Sequence, residues 1–293
     1  MESTAIAFTQ LTERFHHPTY LGSDPLEFVH QENNAFDQEV VAVVAALLAY
    51  GNVRQIRAAF ESVRQRLSEQ GWIQPSLWAD QALADPKRVQ KALKGWVHRF
   101  QTAEDLVLLL SELGRERAEW GSVGAGLFSR IPEESSLEHL LNTTMQAWTP
   151  RLGKRRGSKF FLTAPKSGSA CKRWCMLFRW MVRKDELDVG LWQRGSELLS
   201  KGTGLNPSEL VIPLDVHTGR IAQALGLTSR RVLGWKAALE VTDSLRAFDP
   251  LDPVRFDFAL CRLGIVDSCQ ARYVPKICKS CELYAGCVMR RQK

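Results

Sequence analysis

The chain has 293 residues, of which 45% are hydrophobic and 24% are charged, as is ordinary for a globular protein. Its net charge of +7 favours polyanionic partners but does not identify one. The first residues lack the basic and apolar regions of a signal peptide, and the longest apolar stretch, residues 40–50, is too short to span a bilayer. We therefore expect a cytoplasmic protein without membrane association.

Apolar residues at helical spacing predict helices along the chain. The predicted segments are 38–50, 53–69, 103–113, 137–148 and 170–183. Residues that favour the N-cap position precede four of them: Asp37, Thr102, Ser135 or Ser136, and Ser169. Sustained period-two alternation and Asn-Gly or Asp-Gly hairpin signals are not found in the sequence. The sequence thus predicts an all-α architecture.

The segment from residue 151 to residue 184 contains eleven Lys or Arg residues and no acidic residue. Such a segment creates a local positive field, and unpaired cations suit a surface that binds phosphates. Aromatic residues on its predicted helix are interpreted as core. The predicted phosphate contacts in this segment are Lys154, Arg155, Arg156, Lys159, Lys166, Lys172, Arg173, Arg179 and Arg183. Arg220, which follows Asp215, is predicted to be a further phosphate contact.

Asp215 directly precedes an apolar-periodic run that ends before Gly226, which predicts a helix with Asp215 at its N-terminus. There the carboxylate can cap free backbone N–H groups, and it can also face a cleft. These two roles are compatible. His217 is a further candidate, although a lone histidine is more often a structural group than a base.

Four cysteines close the sequence at spacings of eight, two and five residues: Cys269, Cys278, Cys281 and Cys287. In a chain without a secretory signal, this pattern favours a metal or cluster site over disulfides. Thiolates at these spacings can hold one [4Fe–4S] cluster or one tetrahedral zinc ion.

The segment 213–217 (P-L-D-V-H) and the four cysteines together resemble the endonuclease III branch of the base-excision DNA glycosylases. The segment 165–185 also resembles an uncharacterised bacterial family of conserved hypothetical proteins, which is grouped as a divergent relative of those enzymes. The resemblance implies an all-α, two-lobed, helix-hairpin-helix DNA glycosylase-like fold with a C-terminal four-cysteine cluster loop over residues 269–287. Within this single domain, residues 53–200 would form the middle helical lobe, and residues 1–52 with 201–293 the terminal lobe.

The resemblance also implies a function. Asp215 would stabilise an oxocarbenium-like transition state, or activate water, as the N-glycosidic bond of a damaged or modified base in DNA is hydrolysed. The corner formed by Tyr50, Gly51 and Asn52 would wedge into the duplex, and the cysteines would hold a [4Fe–4S] cluster rather than zinc. The expected partner is double-stranded DNA, bound by a monomer.

The sequence departs from that superfamily just upstream of Asp215. Residues 200–207 contain glycines but lack an L-P-G-x-G hairpin signature, and Lys201 is the only lysine nearby. Lys201 is kept as a candidate catalytic residue, but its spacing does not favour lyase activity. Two alternatives stay open: a nucleic-acid base-modifying or transferase enzyme on the same fold, and a non-catalytic nucleic-acid-binding iron–sulfur protein.

Overall fold

A computed structural model describes residues 2–200, 202–267 and 269–291. Helices dominate these residues, so the all-α prediction is confirmed. The α-helices are α1 (Glu2–Phe15), α2 (Glu27–His30), α3 (Ala35–Leu48), α4 (Val53–Ser68), α5 (Pro75–Ala84), α6 (Pro86–Ala92), α7 (Ala103–Trp120), α8 (Val123–Phe128), α9 (Leu137–Leu152), α10 (Arg156–Lys159), α11 (Lys172–Val182), α12 (Val216–Ala224), α13 (Trp235–Arg246), α14 (Asp257–Ile265) and α15 (Pro275–Cys278). Short 3₁₀ segments lie at Pro18–Ser23, Pro165–Ser167, Pro207–Glu209, Pro253–Phe256, Glu282–Ala285 and Val288–Arg291.

The described residues hold one two-stranded antiparallel sheet. It consists of β1 (Val97–His98) and β2 (Gln101–Thr102), which form a tight hairpin between α6 and α7. Val97 pairs with Thr102, and His98 pairs with Gln101. None of the described helices is both long and apolar enough to cross a membrane.

Several helices begin where the sequence predicts. Thr102 is the N-cap of α7, where its backbone N–H donates to Asp105 Oδ2 at 2.9 Å. Ser136 is the N-cap of α9, where its Oγ accepts from the backbone N–H of His139 at 3.2 Å. Both helices run beyond their predicted ends, to residues 120 and 152. The start of a helix is a local signal, whereas its length also depends on the core that covers it.

The predicted N-cap of the buried helix α3 is wrong. Asn34 occupies the cap position, because its Oδ1 accepts from the backbone N–H of Asp37 at 2.9 Å. The helix therefore begins at Ala35, and Asp37 lies within its first turn. The carboxylate of Asp37 instead accepts from the backbone N–H of Ser76 at 2.7 Å, which ties α3 to the start of α5.

Ser169 does not cap the basic helix either. Its Oγ accepts from the backbone N–H of Cys171 at 3.1 Å, and Cys171 then adopts a left-handed backbone with φ of 49°. This local turn competes with helix formation, so α11 starts only at Lys172.

The packing of the helices brings four chain segments together around the region described next. The buried helix α3 packs against α5 and α11, and α5 packs against α7. The amino-terminal helix α1 packs against α14, which in turn packs against α12. The carboxyl end of α3, the amino ends of α11 and α12, and the helix α14 consequently surround a common cleft.

Candidate functional site

A cleft of about 510 Å³ opens among these helix ends. Asp215, Lys172, Tyr50 and Asp257 are among the residues that line it. Its volume lies in the range of pockets that bind small molecules, about 300–1,000 Å³. Because it also contains ionisable side chains from distant parts of the sequence, this cleft is the candidate functional site.

Asp215 is the N-cap of α12, as the sequence predicts. Its Oδ1 accepts hydrogen bonds from the backbone N–H groups of His217 at 2.9 Å and Thr218 at 2.8 Å. Its Oδ2 lies 3.8 Å from Nζ of Lys172, and both side chains are about one-third exposed. One oxygen therefore caps the helix and fixes the orientation of the carboxylate, while the other lies next to an amine.

Lys172 is the first residue of α11 and follows a turn that contains glycine. The 3₁₀ segment Pro165–Ser167 ends at Gly168, whose φ of 80° favours glycine. The carbonyl of Gly168 accepts from the backbone N–H of Trp235 at 3.2 Å, which ties the turn to the start of α13. Sequence analysis assigned Lys172 only a phosphate contact and missed its proximity to Asp215. The glycine-containing turn before this lysine was the sequence feature that could have indicated its position at the cleft.

The segment 200–207, which contains glycines but lacks the hairpin signature, lies away from the cleft. Thr203 and Gly204 line a small cavity with residues from the connection between α8 and α9. Lys201, the candidate lysine of this segment, falls outside the described residues. The glycine-containing turn before α11, in contrast, adjoins the cleft through Ser169.

A buried ion-pair network forms the floor of the cleft. Arg179 Nη1 donates to Asp257 Oδ2 at 2.6 Å, and its Nε lies 3.3 Å from Asp188 Oδ1. Burial alone would lower the pKa of Arg179, but the nearby carboxylates raise it above its ordinary value. Burial raises the pKa of Asp257 despite the opposing effect of Arg179. The network thus links α11 to α14 and holds charged groups beneath the exposed Lys172–Asp215 pair.

Arg173 forms one wall of the cleft and has a different environment. It donates to the backbone carbonyls of Leu47, at 2.6 Å, and Phe160. Its guanidinium carbon lies 4.1 Å from the ring centroid of Phe160 and 5.5 Å from that of Tyr50. Burial lowers the pKa of Arg173 to about 10. This arginine joins the end of α3 to the segment before α11.

The corner predicted to act as a duplex wedge lies at the mouth of the cleft. Tyr50 and Gly51 both line it, and Gly51 has a φ of 99°. The hydroxyl of Tyr50 donates to Gln101 Oε1 at 2.6 Å, and burial raises the pKa of this phenol to about 12. Asn52 is exposed and caps α4, where its Oδ1 accepts from the backbone N–H of Arg54 at 2.9 Å. Tyr50 and Asn52 therefore make structural contacts. Their role as a duplex wedge stays a prediction.

The predicted phosphate contacts divide into two groups. Arg173, Arg179 and Arg183 are buried, with exposed fractions of 7%, 3% and 5%. Arg183 pairs with Asp252 at 2.9 Å as well as with Asp188. The prediction that these three arginines are unpaired phosphate contacts is wrong, because distant carboxylates, carbonyls and aromatic rings enclose them. Arg155 is partly exposed but also paired, to Glu104 and Asp105.

The second group remains on the surface. Its members are Lys154, Arg156, Lys159 and Lys166, all of them exposed. Arg156 lies over the ring of Phe100, with its guanidinium carbon 5.5 Å from the centroid. These side chains keep the positive surface that the sequence predicts, although it contains fewer residues than expected.

His217 and Arg220 lie on the exposed side of α12. They line a shallow groove together with Gln270 and Arg272, and they are not among the residues that line the cleft. The structure thus separates the side chain of His217 from Lys172 and the cleft. His217 acts at the cleft only through its backbone N–H, which donates to Asp215.

All four carboxy-terminal cysteines, Cys269, Cys278, Cys281 and Cys287, line a second cavity of about 410 Å³. Residues of α12 line the same cavity, so this helix borders both the cleft and the cysteines. The four cysteines are free thiols in the structure. Within the described ranges, no three His, Cys, Asp or Glu side chains lie close enough together to hold one metal ion.

The cysteine segment is fastened to the amino-terminal helix by Arg14. This arginine pairs with Asp267 at 2.8 Å and with Glu282 at 3.0 Å. Burial raises the pKa of Cys269, and raises that of Cys281 to about 11. Without a cation these two thiols therefore stay protonated at neutral pH, and a bound metal would be needed to hold them as thiolates.

Comparison with known proteins gives a family but no activity. No curated protein and no solved structure shows significant similarity to the chain. A family model described as "protein of unknown function (DUF2400)" matches residues 24–266. The match includes the cleft residues around Asp215 and ends before the first of the four carboxy-terminal cysteines. Because it covers well over half of the chain, the chain belongs to this family of proteins of unknown function, DUF2400.

Proposed function

We propose that this protein is a DNA glycosylase-like enzyme that hydrolyses the N-glycosidic bond of a damaged or modified base. The observation that carries the proposal is the arrangement of Asp215 at the cleft. Its Oδ1 is fixed by two backbone N–H groups, and its Oδ2 lies 3.8 Å from an amine. A carboxylate with a fixed orientation in a cleft of nucleoside size suits a reaction that develops positive charge on a sugar.

In this proposal the cleft supplies electrostatics and positioning. The nucleotide leaves the base stack and enters the cleft, as enzymes that act on bases require. Asp215 then stabilises the oxocarbenium-like sugar or activates the attacking water. The buried network of Arg179, Asp188 and Asp257 supports the reaction indirectly, because it holds α11 and α14 beneath the reacting groups.

We extend the proposal to the four cysteines as ligands of a [4Fe–4S] cluster. Four thiols around one cavity of about 410 Å³ fit a cluster, whereas a single zinc ion requires its ligands to meet at one point. Arg14, Arg272 and Lys276 line the same cavity and would offset the negative charge of the thiolates. The cluster would keep the carboxy-terminal segment packed against α12, and its role here is structural.

Double-stranded DNA is the proposed partner, bound by a monomer. The supporting observation is the set of exposed cations in the segment before α11: Lys154, Arg156, Lys159 and Lys166. The same proposal includes the helix-hairpin-helix architecture. It also includes the division of the domain into two lobes, with boundaries at about residues 53 and 200.

The decisive experiment compares base release by three proteins. Anaerobically purified wild type, Asp215→Asn and Asp85→Asn are incubated with duplex DNA that carries alkylated, oxidised or deaminated bases, and free base is measured by mass spectrometry. Asp85 is the matched control, because it caps α6 with one carboxylate oxygen and is not among the cleft residues.

Release by wild type and Asp85→Asn but not by Asp215→Asn is the expected result, and it would name the substrate. Release by Asp215→Asn at the wild-type rate would exclude the assigned role of this carboxylate. No release from any lesion, with DNA still bound by all three proteins, would overturn the glycosylase proposal. It would favour a base-modifying enzyme or a non-catalytic nucleic-acid-binding protein.

The position of Lys172 favours a second candidate activity, cleavage of the DNA strand after base removal. The Lys172 amine lies 3.8 Å from the carboxylate and, once it has passed a proton to Asp215, can attack the C1′ aldehyde of the open-chain abasic sugar, and water leaves as the Schiff base forms. Borohydride reduction would then trap wild type and Lys91→Gln covalently on DNA, but not Lys172→Gln; Lys91 is the control because it is exposed on α6 and is not among the cleft residues. If Lys172→Gln is trapped as efficiently as the wild type, this lysine is not the nucleophile. The same conclusion follows if a wild type that releases base is not trapped.

A further inference from the structure

The tip of the β1–β2 hairpin holds an arginine in an unusual backbone conformation. Arg99 has a φ of 57°, in the left-handed region that residues other than glycine and asparagine seldom adopt. Strained residues of this kind concentrate at functional sites. The Arg99 side chain is exposed, and within the described residues no carboxylate pairs with it. A positive φ is what the first residue of this two-residue hairpin loop requires, so the turn places a cation at the surface, and this cation has no ion-pair partner among the described residues.

Arg99 lies directly against the mouth of the cleft. Its guanidinium carbon is 5.8 Å from the ring centroid of Tyr50. A Cβ atom added to Gly51 would lie 3.1 Å from Nη1 of Arg99 and 3.3 Å from its Cδ. The arginine thus lies across Tyr50 and Gly51, two residues that line the same cleft as Asp215.

The hairpin that carries Arg99 is firmly anchored. Nε2 of His98 makes a 3.0 Å hydrogen bond with the carbonyl of Leu48 at the end of α3. On the other strand, Gln101 Nε2 donates to the carbonyl of Gly157 at 3.0 Å. The hairpin is therefore fixed to the end of α3 and to α10, and Arg99 has a defined position next to Tyr50.

We propose that Arg99 binds a phosphate of the nucleic-acid backbone next to the nucleotide that enters the cleft. A planar guanidinium with several parallel N–H donors is well suited to a phosphate. Tyr50 orients the guanidinium through its ring, and Gly51 provides the space for it. This inference rests on the proposed function, since it requires a nucleic acid at the cleft.

The test exploits the opposite effects of one substitution on stability and on binding. Arg99→Gly removes the cation and relieves the left-handed backbone. Glu134→Gly is the matched control, because Glu134 is exposed with a φ of 63° and is not among the cleft residues. Arg99→Lys keeps the charge but not the planar donor group. Thermal midpoints are measured for all proteins. Binding to a labelled duplex with a tetrahydrofuran abasic site is measured by fluorescence anisotropy at several salt concentrations.

We expect Arg99→Gly to unfold at or above the wild-type temperature and to bind about tenfold more weakly, as loss of a charged contact predicts. Its plot of log Kd against log salt should be shallower by about 0.9, the contribution of one phosphate contact. Arg99→Lys should keep the wild-type slope, and Glu134→Gly should bind as wild type does.

Three results would contradict the inference. If the wild type binds the duplex and Arg99→Gly binds it with the same affinity, this inference is overturned but the proposed function is not. Weaker binding with an unchanged salt slope would show that Arg99 contacts no phosphate. Failure of the wild type to bind the duplex would overturn the proposed function and this inference with it.

Discussion

Substitution of Asp215 should separate its two roles, because each involves a different oxygen. Asp215→Asn keeps an oxygen that can accept from the N–H groups of His217 and Thr218, and asparagine is among the best N-cap residues. It loses only the charge next to Lys172. Asp215→Ala loses both the cap and the charge.

The expected energies follow from these contacts. Loss of an N-cap costs about 1 kcal/mol, which corresponds to roughly 2 °C in the thermal midpoint of a chain of this size. The Lys172–Asp215 pair is 3.8 Å long and about one-third exposed, so it contributes less than about 1 kcal/mol. Asp215→Ala should therefore unfold at a lower temperature than Asp215→Asn, whose midpoint should stay close to that of the wild type.

Calorimetry on the three proteins, with base release measured on the same preparations, checks this reasoning. Both variants should lose base release, while only Asp215→Ala loses appreciable stability. Equal destabilisation by the two substitutions would refute the assignment of Oδ1 to the cap, since asparagine preserves that acceptor. Retained base release in Asp215→Asn would refute the assignment of a functional charge to Oδ2.

Three further predictions concern the framework around the cleft. Arg179→Met leaves Asp257 buried without its cation and Asp188 with only Arg183, and it should lower the free energy of unfolding by about 3–5 kcal/mol, measured by urea titration. Burial lowers the pKa of His98, so the folded protein favours the neutral ring. Stability from this histidine is present above its ordinary pKa of about 6.5 and is lost as pH falls toward the lowered value. The thermal midpoint of wild type should then decrease more steeply below about pH 6.5 than that of His98→Gln. Finally, elemental analysis should find iron in anaerobically purified wild type and none in Cys281→Ala, and an iron-free wild type would exclude the cluster.

Local sequence signals predicted the parts of the site that depend on neighbouring residues. Asp215 was recognised as an N-cap because a single acidic residue precedes an apolar-periodic run, and the bond to the N–H of Thr218 confirms it. Thr102 and Ser136 were recognised in the same way. Where two cap-type residues lie close together, as Asn34 and Asp37 do, sequence alone does not show which one begins the helix.

Long-range pairing could not be predicted, and the basic segment shows why. No acidic residue lies between positions 151 and 184, so the arginines appeared to be unpaired. The fold supplies carboxylates from outside that window: Glu112 pairs with Arg151, and Asp257 pairs with Arg179. The pairing of Lys172 with Asp215 was missed for the same reason, since the two residues are distant in sequence and meet only through tertiary packing.

The contrast between Lys172 and Arg179 explains how one helix can serve both the framework and the chemistry of the cleft. They lie seven positions apart on α11, which is two helical turns and so the same face. Arg179 is buried in an ion-pair network, where a change of position would expose buried charges, whereas Lys172 is about one-third exposed at the first position of the helix, next to Asp215. The ion pairs of Arg179 fix the later turn of α11. The first turn therefore holds the amine of Lys172 in a defined direction. Under the proposed function, the basic composition of α11 would therefore serve mainly to position one lysine, and the binding of a polyanion would depend on the exposed cations of the segment before α11.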